Sequence, residues 1–165
     1  MSAPDPNAGR EWYADGGASG GGGLRFECTM CGRCCTGPPG YVRYTHDEAV
    51  AMARVLGISL DEFEDRYTKI ELEQRTLGEV ESEHGLDCVF LDWESVPGKA
   101  VCKVYEARPL QCRTFPWWPQ NLRSKRDWER LGRECEGVGR GDFVPIEHIR
   151  IERDKQASRD RSVGR

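Results

Sequence analysis

The spacing of eight cysteines constrains this chain more than any other feature of its sequence. Half of them fall within residues 28–35, in the pattern Cys-x-x-Cys-x-x-Cys-Cys. A Cys-x-x-Cys step lets two thiolates converge on one metal, and three such positions match the first ligands of a bacterial ferredoxin run. Metal spacing of this kind is rare among cysteines that serve only as buried apolar residues. We therefore predict that all eight are metal ligands: Cys28, Cys31, Cys34, Cys35, Cys88, Cys102, Cys112 and Cys135.

The polar composition indicates that the fold needs cross-links. Hydrophobic residues make up 38% of the chain and charged residues 32%, so folding buries only a modest apolar surface. Disulfides would need an oxidising compartment. The N-terminal residues have no apolar segment typical of a signal peptide, and no stretch approaches the ~20 apolar residues of a membrane span. We therefore expect a cytoplasmic protein with reduced, metal-binding thiols and no membrane partner, and the net charge of −4 argues against nucleic acid.

Composition divides the chain into three parts. Residues 1–23 are polar, end in a Gly-rich run and are predicted to be a disordered tail. Residues 24–151 are predicted to form a cysteine-cluster metal-binding domain. Residues 152–165 are predicted to be a charged tail that follows a helix ending near residue 151.

Capping and turn signals predict an α+β fold class, a small irregular metal-stabilised domain in which short helices and a β-hairpin surround the cysteine cluster. Thr45 with Glu48 predicts the start of one helix, which Gly57 ends, and Ser59 predicts the start of a second. Apolar runs at 88–91 and 101–105 flank a Pro-Gly turn and predict the hairpin. Further short helices are predicted after Pro109, Ser124 and Pro145.

The sequence leaves the grouping of the thiols open. Eight suit two four-cysteine sites, or one site with additional buried or redox-active thiols. We favour a site in which Cys28, Cys31 and Cys34 share a metal with Cys112, because a rigid Arg-Pro turn precedes Cys112. Neighbouring side chains usually diverge, so Cys35 is expected to point away from Cys34, toward a second site or the core.

Three arginines lie beside predicted ligands and are candidates for binding the cofactor. A buried site with four thiolates keeps negative charge and needs donors or cations near it. Arg33, Arg108 and Arg113 are predicted to donate to sulfur or to hold an anionic substrate, the alternative being that each is a solvated surface residue.

Three segments together form a specific pattern: the Cys-x-x-Cys-x-x-Cys-Cys motif, Cys88-Val-Phe-Leu, and Tyr105-Glu-Ala-Arg-Pro-Leu-Gln-Cys-Arg-Thr-Phe-Pro. They resemble the YkgJ-type cysteine-cluster family of zinc- or iron-chelating domains. It spans about residues 26–135 and implies a bound metal centre. It also implies a link to flagellin lysine N-methylases, which carry this domain. The Gly-rich segment 20–23 follows no strand, so it does not indicate a nucleotide-binding loop.

Three functions remain open from the sequence. The first is an iron–sulfur protein, with a 4Fe-4S cluster in a redox or group-transfer role such as that of an oxidoreductase, together with a redox or protein partner. The second is a zinc-binding structural or metal-carrying module without catalysis, because tetrahedral sulfur sites suit both metals. The third is a component similar to a protein-lysine (flagellin) N-methyltransferase.

Overall fold

The computed structural model describes residues 10–15 and 21–163 of the chain. Helices and short antiparallel strand pairs alternate along it, which confirms the predicted α+β class. The elements in chain order are β1 (Gly23–Phe26), α1 (His46–Leu56), α2 (Leu60–Tyr67), β2 (Thr68–Glu71), β3 (Gln74–Leu77), β4 (Glu79–Ser82), β5 (Gly85–Cys88), β6 (Leu91–Asp92), β7 (Val101–Cys102), a 3-10 turn (Tyr105–Ala107), α3 (Leu110–Thr114), α4 (Pro119–Leu122), α5 (Lys125–Glu134), β8 (Val138–Pro145) and α6 (Ile146–Val163).

The chain divides into two compact units. One is Thr29–Phe115, called here the cysteine unit. The other, called here the flanking unit, joins the described residues up to Cys28 with the described residues from Pro116 onward. The single domain expected over residues 24–151 therefore includes parts of both units. Of the eight cysteines, Cys28 and Cys135 belong to the flanking unit.

The two helices that open the cysteine unit form as their caps predict. Thr45 accepts a hydrogen bond from the Glu48 amide while the Glu48 carboxylate accepts one from the Thr45 amide, which completes the capping box of α1. Gly57 ends α1 with φ of 70°, a left-handed conformation that favours glycine. Ser59 caps α2 by accepting from the Glu62 amide.

Both helices bury one face against the short hairpins. Phe63 of α2 stacks with Phe90 at 6.2 Å between ring centroids, and Tyr67 stacks with Phe90 at 5.2 Å. This core consists of Ala49, Met52, Ala53, Phe63, Leu77, Phe90 and Val104.

The strand predicted over residues 88–91 is interrupted, which corrects the sequence prediction. Cys88 ends β5, which pairs with β4, and the predicted hairpin is limited to β6 with β7, where Leu91 lies opposite Cys102. Between the two strands the backbone turns, because the Phe90 side chain enters the core, where it is only 1% exposed.

The flanking unit has a separate aromatic core. Strand β1 pairs with β8 in antiparallel register, and Trp117 stacks on Trp128 of α5 at 5.5 Å. The buried members of this core are Tyr13, Trp117, Leu122, Trp128, Ile146 and Ile149.

Both ends of the flanking unit differ from the sequence prediction. Residues 1–9 and 16–20 of the predicted disordered tail lie outside the described residues, but Tyr13 is 3% exposed and Trp12 donates to the Leu122 carbonyl at 2.9 Å. Helix α6 continues from residue 151 to Val163 instead of ending near residue 151. Pairs spaced as neighbours on a helix support this polar extension, with Lys155 bonded to Glu152 at 2.7 Å.

We predict that Glu11 links the stability of the flanking unit to pH. Glu11 bonds to Arg150 at 2.8 Å and to Arg153, and the hydrogen bond from Arg150 contributes most to lowering the pKa of Glu11 from 4.5 to about 2. A depressed pKa stabilises the fold fully above the ordinary pKa, and this stabilisation is lost as pH falls from 4.5 toward 2. Glu11→Gln should cost about 1 kcal/mol of unfolding free energy at pH 7, and much less near pH 2, in urea unfolding monitored by circular dichroism.

Glu129→Gln is the matched control, since Glu129 pairs with Lys125 at only 3.9 Å and is 59% exposed. It should change the unfolding free energy by less than about 0.5 kcal/mol at either pH. Equal effects of the two variants at pH 7 would contradict the prediction.

Candidate metal centre

Two cysteines of the cysteine unit end strands and are followed by turns of the same kind. Cys88 ends β5 and Cys102 ends β7, and two residues after each comes a buried apolar side chain, Phe90 or Val104, that is 1% exposed. The amide of Phe90 donates to the Cys88 sulfur and the amide of Val104 donates to the Cys102 sulfur. A third bond ties the turns together, from the Lys103 amide to the Phe90 carbonyl at 2.9 Å. Because the side chains of Phe90 and Val104 are anchored in the core, their amides are directed at the sulfurs of Cys88 and Cys102.

The loop at residues 29–35, called here the Cys-rich loop, begins the unit and is fixed to these hairpins by backbone bonds. The Ala100 amide donates to the Met30 carbonyl at 2.8 Å, and the Cys88 amide donates to the Cys35 carbonyl at 2.7 Å. Within the loop, the Cys35 amide donates to the Gly32 carbonyl at 2.8 Å and closes a tight turn. Met30 and Gly32 both have positive φ, at 55° and 74°, so Cys31 lies between two left-handed residues.

That tight turn brings two neighbouring thiols together. The sulfurs of Cys34 and Cys35 lie 3.6 Å apart, so the expectation that these side chains diverge was wrong. Mainly because Cys35 donates a hydrogen bond to its sulfur, the pKa of Cys34 is lowered to about 7. The same bond raises the pKa of Cys35, which keeps its proton in order to donate it.

Helix α3 presents a further thiol from the other end of the unit. The Leu110 amide donates to the Glu48 carboxylate at 2.8 Å, and the Gln111 side chain donates to the Tyr41 carbonyl at 2.7 Å. These bonds fix the first turn of the helix that carries Cys112. Glu48 therefore both completes the cap of α1 and positions the start of α3.

Five thiols of the cysteine unit form one electrostatic group. Burial, reinforced by neighbouring thiols, raises the pKa of Cys88 to about 11 and that of Cys112 to about 12. Burial also raises the pKa of Cys102. We call this group the five-thiol cluster: Cys34, Cys35, Cys88, Cys102 and Cys112. Because each thiolate disfavours the others, a bound cation would stabilise all of their ionised forms.

Of the three candidate arginines, Arg108 acts on the five-thiol cluster. Its guanidinium lies 3.7 Å from the centroid of the Tyr105 ring, and its Nε donates to the Tyr105 carbonyl at 3.0 Å. The positive charge opposes the increase in pKa that burial causes at Cys102 and Cys112. Arg113 is exposed and lies 3.7 Å from Glu48, and Arg33 is also exposed.

The other predicted ligands have different surroundings. Cys31 is half-buried in the loop of the cysteine unit. In the flanking unit Cys28 is exposed, whereas Cys135 is buried at the end of α5. Their roles as ligands, and the preferred grouping of Cys28 with Cys31, Cys34 and Cys112, stay predictions.

A buried carboxylate beside the five-thiol cluster was missed by the sequence analysis. Asp87 is 6% exposed and accepts hydrogen bonds from the Thr36 hydroxyl and, at 2.8 Å, from the Trp93 indole N–H. Burial acts to raise the pKa of Asp87, but the bonds from Thr36, Trp93 and Ser82 outweigh it and lower the pKa. In the sequence, Asp87 stands out only because it directly precedes Cys88. An isolated Asp in a strand does not indicate which residues will bond to it.

The donors present suit a soft metal. Thiolates are ligands of zinc and of iron–sulfur clusters alike, and amide N–H groups aimed at sulfur are typical of such centres. The type of donor atom therefore suits either zinc or an iron–sulfur cluster at Cys34, Cys88, Cys102 and Cys112. Across residues 10–15 and 21–163, no set of three or more His, Cys, Asp and Glu side chains is close enough together to hold a metal ion.

A family model matches the segment that contains these thiols. Residues 27–136 match the CxxCxxCC model, whose description is "putative zinc- or iron-chelating domain". The chain belongs to the CxxCxxCC family. This confirms the resemblance noted in the sequence and supports a metal-chelating role, with the metal being zinc or iron.

The chain is 32% identical over 125 residues to the uncharacterized protein MJ0661 of Methanocaldococcus jannaschii, and the alignment covers 73% of this chain. It covers 62% of the length of that relative. No solved structure matches the chain. Among the described residues, no helix combines the length and the apolar character that crossing a membrane requires.

We predict that Gly32 is required for the Cys-rich loop to reach its place. Its φ of 74° favours glycine, and a Cβ there would lie 2.6 Å from the Ala100 Cβ and 2.7 Å from the Trp93 ring. Gly32→Ala should therefore lower the unfolding free energy by about 2–4 kcal/mol in urea unfolding, through backbone strain and overpacking together.

Gly98→Ala separates these two causes. Gly98 has φ of 72°, but no atom lies within 4 Å of the place that an added Cβ would occupy. Its variant should therefore lose only the strain component of about 1–2 kcal/mol. A Gly32 variant no less stable than the Gly98 variant would refute the close packing described here.

Proposed function

We propose that the five-thiol cluster holds an iron–sulfur cluster, of the 4Fe-4S type, in a redox or group-transfer role. The observation that carries this proposal is the collection of five thiols from four separate segments within one compact unit. Cysteine side chains rarely gather in such numbers without a metal or disulfides, and all eight cysteines here are free thiols.

The Cys-rich loop favours iron–sulfur over zinc. The Cys-x-x-Cys-x-x-Cys spacing at residues 28–34 matches the first three ligands of a bacterial ferredoxin run. Of these three cysteines, Cys34 belongs to the five-thiol cluster, whereas Cys28 and Cys31 stay predicted ligands. Hydrogen bonds from the Phe90 and Val104 amides to the Cys88 and Cys102 sulfurs also support the proposal. Such bonds stabilise thiolate ligands and tune the reduction potential of a cluster.

Arg108 would balance part of the charge of a bound cluster. A cluster ligated by thiolates remains negative, and burying that charge requires a nearby cation or donor. The Arg108 guanidinium is held in place by the Tyr105 ring and carbonyl, and its charge favours the thiolate forms of Cys34, Cys102 and Cys112. We assign to Arg108 the role of an electrostatic partner of the metal centre.

A zinc-binding module without catalysis is the second candidate. Thiolates from the same cluster match the tetrahedral sulfur ligands that zinc prefers. In that case the metal would serve to hold together the short hairpins of the cysteine unit, which contain few residues each.

Metal content and colour separate the two candidates. The full chain is purified without oxygen, and iron, zinc and acid-labile sulfide are measured beside the visible spectrum. We expect a brown protein with broad visible absorption, bound iron and an equal amount of sulfide. A colourless protein with bound zinc would support the second candidate, and a folded protein without any metal would refute both.

We predict that Cys112 is a ligand. Cys112→Ser should remove most of the bound metal, and the loss should also lower the unfolding free energy, because metal binding is linked to folding. Metal per chain is measured by elemental analysis and the unfolding free energy by urea titration.

Thr114→Val is the matched control on the same helix. Thr114 is fully buried and its hydroxyl donates to the Leu110 carbonyl at 2.9 Å, so this variant perturbs α3 without removing a thiol. It should cost about 1 kcal/mol of stability and keep its metal. Equal metal content in the two variants would exclude Cys112 as a ligand.

A further inference from the structure

We propose that Asp87 is a positioning residue that gathers the cysteine-bearing segments of the cysteine unit into register for metal binding. The proposal rests on the proposed metal-binding function and adds a residue that coordinates no metal itself. The carboxylate accepts side-chain hydrogen bonds from Thr36 and Trp93, two residues that belong to different segments beside the five-thiol cluster.

The first bond fixes the segment that follows the neighbouring thiols. Thr36 comes directly after Cys35, and its hydroxyl donates to Asp87. Backbone bonds run beside this contact, with the Cys88 amide bonded to the Cys35 carbonyl at 2.7 Å and the Leu86 amide to the Gly37 carbonyl at 2.9 Å. Asp87 thus adds a side-chain link to the edge where β5 meets the Cys-rich loop.

The second bond orients a tryptophan that packs against the same loop. The Trp93 indole N–H donates to Asp87 at 2.8 Å, and the far edge of the ring faces Gly32, where an added Cβ would lie 2.7 Å from it. The imidazole of His84 covers the ring at 4.2 Å between centroids. A single rotation of Trp93 would therefore release the contact on Gly32, which lies between Cys31 and Cys34.

Asp87 itself belongs to a third segment, β5, beside the segments of Thr36 and Trp93 that bond to it. Asp87 immediately precedes Cys88, and Trp93 immediately follows β6, the strand that pairs with the strand ending at Cys102. One carboxylate thus connects the loop of Cys34 and Cys35, the turn after Cys88, and the hairpin of Cys102. Its burial, at 6% exposure, keeps water from competing for these bonds.

Zinc affinity of the full chain tests this role. Zinc(II) alone is titrated into the reduced, metal-free chain in competition with a chromophoric chelator, and cobalt(II) spectra report the ligand geometry. Asp87→Ala should weaken zinc binding about 10- to 100-fold, as expected when a group that orients ligands is removed. Its cobalt(II) spectrum should also differ from that of the unaltered chain.

Asp87→Asn separates positioning from charge. An amide can accept from the Trp93 N–H through its oxygen and donate through its two N–H groups to the hydroxyl oxygens of Thr36 and Ser82. The Thr36 hydroxyl can then donate to the His84 carbonyl, which lies 3.3 Å away. Positioning therefore predicts that Asp87→Asn binds zinc as tightly as the unaltered chain. An Asn variant as weak as the Ala variant would overturn positioning in favour of a charge effect.

Asp127→Ala controls for general loss of stability. Asp127 is also a buried carboxylate, 8% exposed, and it bonds to Ser124 at 2.8 Å and Arg130 at 2.7 Å in the flanking unit. It should reduce the unfolding free energy and leave zinc affinity unchanged. If Asp87→Ala does not fold, Thr36→Val and Trp93→Phe each remove one bond and should each weaken zinc binding.

The binding measurements distinguish failure of the positioning role of Asp87 from failure of the metal-binding function. An unaltered chain that binds neither zinc nor cobalt, and that holds no iron when it is purified without oxygen, would refute the metal-binding function itself. An unaltered chain that binds zinc no more tightly than the Asp87→Ala, Thr36→Val and Trp93→Phe variants is the other contrary result. That result would refute only the positioning role of Asp87 and would leave the metal-binding function standing.

Discussion

Repulsion among thiolates is the constraint on which the rest of the cysteine unit depends. Burial already opposes ionisation of Cys88, Cys102 and Cys112, and each charge that forms makes the next one less favourable. Without a compensating cation these sulfurs stay protonated, and they contribute little more than small apolar side chains would. With a cation, the five-thiol cluster would become a set of bonds between four segments of chain. Such bonds would matter for the stability of this chain, because its composition is polar and its apolar core is small.

The core and the thiols are positioned by the same turns. Phe90 and Val104 insert their side chains among the residues of α1 and α2, and this insertion directs their amides toward Cys88 and Cys102. Strands β6 and β7 contain only two residues each, which is too short for a ladder to fix the hairpin alone. Packing therefore holds the hairpin on one side, and under the proposed function a metal bound to Cys102 would hold it on the other.

Local signals made the helices of the cysteine unit predictable, whereas the arrangement of the site depended on distant contacts. The capping residues Thr45 and Ser59 act within one helical turn, so the sequence alone located α1 and α2. The closeness of Cys34 and Cys35 depends on a turn at Gly32 that is pressed by Trp93, about sixty residues further along the chain. The role of Asp87 could not be predicted for the same reason, because Thr36, which donates to it, lies far away in the sequence. Helix α6 was underestimated because its outer part has charged pairs and a contact of Arg153 with Glu11 instead of an apolar stripe.

The pairing of β1 with β8 has a consequence for synthesis of the chain. Residues 23–26 cannot form these hydrogen bonds until residues 138–145 have left the ribosome, so the flanking unit stays open until then. Every segment of the cysteine unit, from Thr29 to Phe115, emerges earlier. Under the proposed function, metal would therefore meet the thiols of the cysteine unit before β1 and β8 have paired, so the connectivity of the fold sets the order of assembly.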